Sequence, residues 1–122
     1  MIIGVLKEPS PETRVSLLPE HIAILNKWNV EVCIESGAGM NAFARDEKYA
    51  EAGAKVMSRA EVTNTATIIL SLNNPGTDTL SALKPGTVLL GVYQPLFNPG
   101  LMKGLAEKGV TVFSMDMLPR TT

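Results

Sequence analysis

Cysteine and histidine are almost absent from this 122-residue sequence, which contains one of each. The lone cysteine, Cys33, cannot form an internal disulfide bond, which is typical of proteins from a reducing compartment. It lies in an apolar, strand-like stretch, so we expect a buried structural thiol rather than a nucleophile. Together with His21 it cannot complete a ligand set, and the sequence therefore predicts no metal site.

An excess of charge of either sign is also missing. Eleven basic residues face twelve acidic ones, for a net charge of −1, whereas nucleic-acid-binding domains carry a basic excess. No apolar run approaches the roughly 18 residues of a membrane span. The start of the chain, a short apolar run followed by Lys7 and Glu8, does not resemble a signal peptide. These absences predict a soluble, cytoplasmic chain and leave docking to a membrane partner open.

Short apolar runs alternate with helical patterns along a chain whose length fits one domain. The predicted strands are residues 2–6, 30–34, 55–57, 67–72, 87–93 and a last one from 110. The predicted helices begin near Pro19, Asp46, Ser58, Thr77 or Asp78, and Asn98. This alternation calls for right-handed βαβ crossovers. It predicts an α/β fold with a three-layer, mostly parallel, doubly wound sheet of about six strands.

Two helices carry specific expectations. In the first, Ile22, Leu25 and Trp28 repeat at helical spacing, which predicts one apolar face. In the second, we expect Asp46 to be the N-cap and Tyr49 to face the core.

Several motifs that suggest chemistry are better explained as structure. Gly37-Ala38-Gly39 resembles half of a dinucleotide-binding fingerprint, but Ala42 stands where the third glycine belongs, and a plain turn is predicted. His21 falls in the first turn of a predicted helix, where we expect an exposed residue. No arrangement of serine, histidine and aspartate suggests nucleophilic catalysis.

Polar residues follow the carboxyl ends of the predicted strands, where ligands bind in open parallel sheets. Arg120, Thr121 and Thr122 follow the last strand and suit phosphate, carboxylate or amide oxygens, although a solvated tail is the alternative. Arg14 follows the first strand and suits a carboxylate, with pairing to Glu8 or Glu12, or hydrogen bonds to backbone carbonyls of its own loop, as the alternatives. The remaining polar residues at strand ends are Asn73, Asn74 and Gln94. Because amides do not transfer protons at neutral pH, we expect these three to orient a ligand.

One family shares a series of these motifs in the same order. They are Lys7-Glu8, Glu12-Thr13-Arg14-Val15 with Pro19, Glu35-Ser36-Gly37-Ala38-Gly39, Ala52-Gly53-Ala54, and Met115-Asp116-Met117-Leu118-Pro119-Arg120. Over essentially its whole length the chain resembles the amino-terminal domain shared by alanine dehydrogenase and the α subunit of proton-translocating NAD(P) transhydrogenase. The resemblance implies a flavodoxin-like sheet, similar to the catalytic domain of formate/glycerate dehydrogenases.

The resemblance also separates the two branches of the family. Alanine dehydrogenases have a pyruvate-binding lysine and a catalytic histidine at the positions of Asn73 and Gln94. The stretch from Gln94 to Pro99 and the Pro119-Arg120 ending are more similar to the transhydrogenase branch. That branch passes a hydride from NADH to NADP, coupled to proton translocation through a membrane partner. In it, Arg120 matches an arginine of the loop that holds the nicotinamide end of NAD(H).

The family pattern then implies the limits of this chain. Residues 1–122 are expected to be a single amino-terminal domain, truncated before the NAD-binding Rossmann domain. We expect Arg120, Thr121 and Thr122 to contact NAD(H) in the full-length protein, with Arg14 as a further ligand-binding residue and no residue in a catalytic role. The full-length protein is expected to be a homodimer at the inner membrane, bound to the NADP-binding membrane subunit. The fragment alone is expected to bind no cofactor and to be inactive. An alanine dehydrogenase and a non-enzymatic binding domain are the alternatives.

Overall fold

The structure is a computed structural model that describes residues 1–8, 15–72, 77–91 and 99–114. The strands in these ranges are β1 Ile2–Val5, β2 Glu31–Glu35, β3 Lys55–Met57, β4 Ile68–Ser71, β5 Val88–Gly91 and β6 Thr111–Ser114. The α-helices are α1 Pro19–Lys27, α2 Asp46–Ala52, α3 Arg59–Thr65, α4 Thr77–Ala82 and α5 Pro99–Glu107, and a 3-10 helix spans Met40–Ala42. Among these helices, none has the length and apolar character needed to cross a membrane.

The strands form one sheet in the order β3-β2-β1-β4-β5-β6, and every pairing is parallel. The chain first adds strands on one side of β1 and then crosses to β4 on its other side. The strand order therefore reverses between β1 and β4, which is the topological switch point of a doubly wound sheet. The prediction of a parallel, doubly wound α/β fold with six strands is confirmed.

Helices cover both faces of the sheet. Ile22 of α1 and Tyr49 of α2 belong to one buried cluster, whose other buried members are Val5, Val32, Ile34, Ala38, Ala44 and Ala54. Val62 of α3 and Leu80 of α4 belong to the second, whose other buried members are Leu6, Cys33, Ala66, Ile69, Leu83, Leu89, Leu105 and Val110. The expectation of a buried thiol at Cys33 is confirmed, and burial raises the pKa of that thiol.

The helix α3 lies unusually close to the central strand β1. A Cβ atom at Gly4 would stand 2.6 Å from the Cβ of Ala66 and 2.8 Å from a methyl carbon of Val62. Only a residue without a side chain allows this approach. At its other end α3 begins with the predicted cap: Ser58 Oγ accepts a hydrogen bond from the Glu61 amide at 3.3 Å, and the Glu61 carboxylate accepts one from the Ser58 amide at 3.4 Å.

Two local expectations are wrong. Trp28 is 70% exposed, because α1 ends at Lys27 and the tryptophan is the residue after the helix, where the helical period no longer places it on the apolar face. Asp46 is the first residue of α2 rather than its N-cap, which is Arg45. The Asp46 carboxylate instead accepts hydrogen bonds from Ser36 Oγ at 2.8 Å and from the Gly37 amide at 2.9 Å. It thereby ties the turn after β2 to α2, while its charge still favours the helix N-terminus.

The glycine that ends α2 gives a test of this packing. Gly53 has φ +107°, and a Cβ there would lie 1.6 Å from Asn26 Nδ2, which donates a hydrogen bond to the Ala52 carbonyl at 2.7 Å. Gly86 has φ +88° with no atom within 4 Å of such a Cβ, so it is a matched control for backbone strain alone. We expect Gly86→Ala to cost about 1–2 kcal/mol of unfolding free energy and Gly53→Ala about 1 kcal/mol more, because Asn26 must move. Urea unfolding measures both, and equal costs would contradict the packing argument.

The buried tyrosine gives a pH-dependent test. Tyr49 is fully buried, and its hydroxyl donates to the Leu17 carbonyl at 2.7 Å. Burial, and then the nearby Asp46 carboxylate, raise the pKa of Tyr49 to about 12. Since the pKa of tyrosine in the unfolded chain is about 10, the fold favours the neutral phenol. The stability that this preference contributes is complete below pH 10 and lost as the pH rises towards 12.

We expect Tyr49→Phe to cost about 1 kcal/mol of unfolding free energy at pH 8. Above pH 10 this cost should shrink and then reverse, because phenylalanine does not ionise. Urea unfolding of both proteins across this range measures it, and a cost independent of pH would show that the phenol ionises freely in the fold.

Candidate functional site

The carboxyl ends of all six strands lie at one edge of the sheet, because every pairing is parallel. We call this the carboxyl edge. In open α/β sheets, ligands bind in the crevice at this edge where the strand order reverses. Here that position lies between the residues that follow β1 and those that follow β4.

The site residues predicted from the sequence all lie outside the residues that the structure describes. These are Arg14, Asn73, Asn74, Gln94, Arg120, Thr121 and Thr122. Their roles therefore stay predictions. The described residues that lead up to them are Glu8 before the segment that contains Arg14, Leu72 before Asn73, Gly91 at the end of β5 and Ser114 at the end of β6.

Glu8 bridges the switch point. It lies three positions after the end of the central strand β1, and only 5% of the residue is exposed. Oxygen Oε2 accepts a hydrogen bond of 2.8 Å from the amide of Leu72, the residue directly after β4. The carboxylate therefore joins the exits of β1 and β4 at the last described residue of each.

A second set of contacts holds the residue just before Glu8. The Lys7 amide donates to Glu35 Oε1 at 2.9 Å, and the Lys7 carbonyl accepts from Arg59 Nη2 at 3.1 Å. Arg59 also pairs with Glu35, with 3.4 Å between Nε and Oε1, and donates to Thr79 Oγ1 at 3.2 Å. We call Lys7, Glu35, Arg59 and Thr79 the Arg59 cluster. It connects the exit of β1 with β2, α3 and α4.

The charged pair in this cluster is partly shielded from water. The side chains of Arg59 and Glu35 are 33% and 16% exposed. An ion pair in this position loses hydration, and it is held in one geometry only if its other hydrogen-bonding groups are satisfied. Here Glu35 Oε1 has two partners, and the Arg59 guanidinium reaches three different segments. The arrangement fixes backbone positions at the exit of β1.

The glycine turn after β2 does not form a phosphate cradle. Gly37 donates its amide to Asp46, and the Ala38 amide donates to the Glu35 carbonyl at 3.0 Å. A Cβ at Gly39 would stand 2.6 Å from the Tyr49 ring. The turn leads into the short 3-10 helix rather than an α-helix, so its amides and its small residues serve packing. This agrees with the interpretation of the motif as a plain turn.

The only histidine of the sequence, His21, is also structural. His21 is exposed, and its Nδ1 accepts a hydrogen bond from the Leu18 amide at 3.0 Å, which caps α1. Within the described ranges, no group of three or more histidine, cysteine, aspartate or glutamate side chains suits a metal ion.

Sequence reasoning missed the residues that the structure brings together at the carboxyl edge. Glu8 and Glu35 were noted as parts of a family pattern, and Arg59 and Thr79 were not singled out. The available signal was position: Glu8 closely follows an apolar strand, and Glu35 is the last residue of β2. A carboxylate at a strand end in a parallel sheet faces the edge where ligands gather.

Comparison with known proteins adds relatives of two kinds. The NAD(P) transhydrogenase subunit alpha of Haemophilus influenzae is 35% identical over 98% of this chain, which covers 23% of that protein. The alanine dehydrogenase of Methanococcus maripaludis is 34% identical over 91% of this chain, which covers 30% of that protein. The crystal structure of transhydrogenase from Sinorhizobium meliloti superposes with a TM-score of 0.92 at 32% identity, over 100% of this chain and 37% of that one.

Two conclusions follow from these matches. The chain spans between about a quarter and a third of the length of the curated relatives it matches, 23% and 30% in the two cases above. Residues 4–122 match the family described as Alanine dehydrogenase/PNT, N-terminal domain. The chain therefore belongs to the alanine dehydrogenase/PNT family and corresponds to its N-terminal domain.

Proposed function

We propose that this chain is the N-terminal part of the NAD(H)-binding component of a proton-translocating NAD(P) transhydrogenase. In the full-length protein, NADH passes a hydride to NADP⁺ on a partner subunit, and the transfer is coupled to proton translocation across the membrane. Residues 1–122 form a single domain there, and an NAD-binding Rossmann domain follows. The protein is cytoplasmic, a homodimer when full length, and peripheral to the inner membrane through its partner.

The observation that carries this proposal is the similarity to transhydrogenase α subunits. Two of them, from Haemophilus influenzae and Cereibacter sphaeroides, are 35% and 37% identical to this chain. The parallel sheet with its switch point between β1 and β4 agrees with the proposal, because open α/β sheets bind ligands at such a point.

In this function the domain orients the cofactor and the cofactor carries the chemistry. Arg120 contacts the nicotinamide end of NAD(H), with Thr121 and Thr122 beside it in sequence. Arg14 is a further candidate for a contact with the ligand. No residue of the chain serves as the proton-transfer group.

Alanine dehydrogenase is the second candidate, and the relative from Methanococcus maripaludis supports it. Reductive amination of pyruvate requires a group that transfers protons. The positions of the lysine and the histidine in that branch are occupied here by Asn73 and Gln94, which are neutral at every ordinary pH. This difference favours the transhydrogenase.

The role of Arg120 has a direct test in the full-length subunit assembled with its membrane partner. Arg120→Ala should weaken NADH binding or hydride transfer by about 10- to 150-fold, the equivalent of one charge-assisted hydrogen bond of roughly 1.5–3 kcal/mol. NADH affinity is measured by titration, and hydride transfer from the reduction of NADP⁺ by NADH.

Arg45→Ala is the matched control, because Arg45 is exposed and its side chain makes no capping hydrogen bond to α2. It should leave both quantities unchanged. If Arg120→Ala also left both unchanged, the assignment would be withdrawn. An unaltered subunit that aminates pyruvate with NADH, and does not reduce NADP⁺, would establish the alanine dehydrogenase instead.

The chain of 122 residues alone should not bind NADH appreciably. It offers Arg120 and, as a further candidate, Arg14, but no glycine-rich turn for the diphosphate, so we expect a Kd in the millimolar range or weaker, about 4 kcal/mol of binding free energy or less. Fluorescence titration of the chain with NADH measures this, and micromolar affinity would contradict it.

A further inference from the structure

We propose that Glu8 is a positioning residue for hydride transfer: its carboxylate holds the exits of β1 and β4 together at the switch point. The inference rests on the proposed function. It adds a role for a residue that makes no contact with the reacting atoms.

The first argument is the location of the carboxylate. Glu8 lies at the switch point, just beyond the residues Ile3 to Val5 of β1 that pair with Ile68 to Leu70 of β4. Among the described residues, the two exits share a backbone hydrogen bond from the Leu6 amide to the Leu70 carbonyl at 3.3 Å. Beyond it, the described link is the 2.8 Å hydrogen bond from the Leu72 amide to Glu8 Oε2. The Glu8 side chain therefore connects β1 and β4 beyond the residues that pair in the sheet.

The second argument is the support behind Glu8. The backbone of Lys7 is held on both sides, by Glu35 Oε1 at its amide and by Arg59 Nη2 at its carbonyl. Arg59 is in turn anchored on Thr79 of α4. Glu8 can hold the Leu72 amide in place only if its own backbone is held, and the Arg59 cluster holds the adjacent residue, Lys7, from β2, α3 and α4.

The third argument is burial. With 5% of the residue exposed, Glu8 has given up most of its contact with water, which is costly for a carboxylate without partners. A charge-assisted bond to a backbone amide offsets part of that cost and makes the geometry strict. Leu72 is covalently followed by Asn73 and Asn74, the neutral polar residues that suit orientation of an amide ligand.

The test uses three variants of the full-length subunit with its membrane partner. Glu8→Ala removes the carboxylate. Glu8→Gln keeps the shape and an oxygen that accepts from the Leu72 amide. Glu31→Gln is the control, because Glu31 is an exposed carboxylate at the opposite, amino end of β2. Steady-state reduction of NADP⁺ by NADH gives kcat and KM, each per mole of folded protein as counted by circular dichroism and gel filtration.

We expect Glu8→Ala to lower kcat by about 10- to 100-fold, because a misplacement near 1 Å of an orienting group has consequences of this size. KM for NADH should change less than about 3-fold, because most binding contacts of a dinucleotide lie on its phosphates and adenosine. Glu8→Gln should recover kcat to within about 3-fold of the unaltered subunit, because glutamine keeps an oxygen that accepts from the Leu72 amide. Glu31→Gln should match the unaltered subunit, because Glu31 is exposed.

A second readout separates the contact with Leu72 from the function. In the 122-residue chain, amide hydrogen exchange at Leu72 should accelerate in Glu8→Ala, and return towards the original rate in Glu8→Gln. If exchange at Leu72 accelerates but kcat per folded subunit is unchanged, Glu8 is structural only and the proposal is overturned. Equal losses of kcat in Glu8→Ala and Glu31→Gln would overturn it as well. An unaltered subunit that transfers no hydride to NADP⁺ overturns the proposed function itself, and the inference about Glu8 falls with it.

Discussion

The close contact between α3 and β1 determines much of the carboxyl edge. Because Gly4 has no side chain, Ala66 and Val62 reach the backbone of the central strand. This seats the crossover helix on the strand next to the switch point, and the first residue of that helix is Arg59. The guanidinium is thereby delivered to the exit of β1, where it contacts the Lys7 carbonyl. The lack of a side chain at Gly4 and the position of Arg59 are therefore linked through the packing of α3 on β1.

The Arg59 cluster shows what such a delivered charge contributes. A partly buried ion pair adds little net stability, because the attraction between its charges is offset by lost hydration. What the ion pair contributes is a fixed geometry. The planar guanidinium donates along fixed axes, so its contacts with Glu35, Thr79 and Lys7 hold together three segments that come from distant parts of the sequence. The exit of the central strand is held from both sides, which is the condition for a well-defined crevice beside it.

The sequence predicted what depends on local periodicity. Buried parallel strands are continuous apolar runs, and Ser58 with Glu61 is a capping box, so both were recognisable. Trp28 and Asp46 were misassigned because each lies at a helix end, where one residue decides which way a side chain points. The contacts of the carboxyl edge could not be predicted from local sequence patterns, because they join residues that are 28, 52 and 64 positions apart in the sequence. They depend on β1 lying between β2 and β4, an order that no local pattern encodes.

The same strand order usually accompanies a glycine-rich turn after the first strand, which receives a diphosphate at a helix N-terminus. In this sequence, residues 6–18 contain no glycine and instead have prolines at positions 9 and 11. The only Gly-x-Gly of the chain follows β2, and the amides of Gly37 and Ala38 are used internally. The described part of the chain thus has the strand order of a nucleotide-binding sheet, and its Gly-x-Gly turn does not serve as a phosphate cradle.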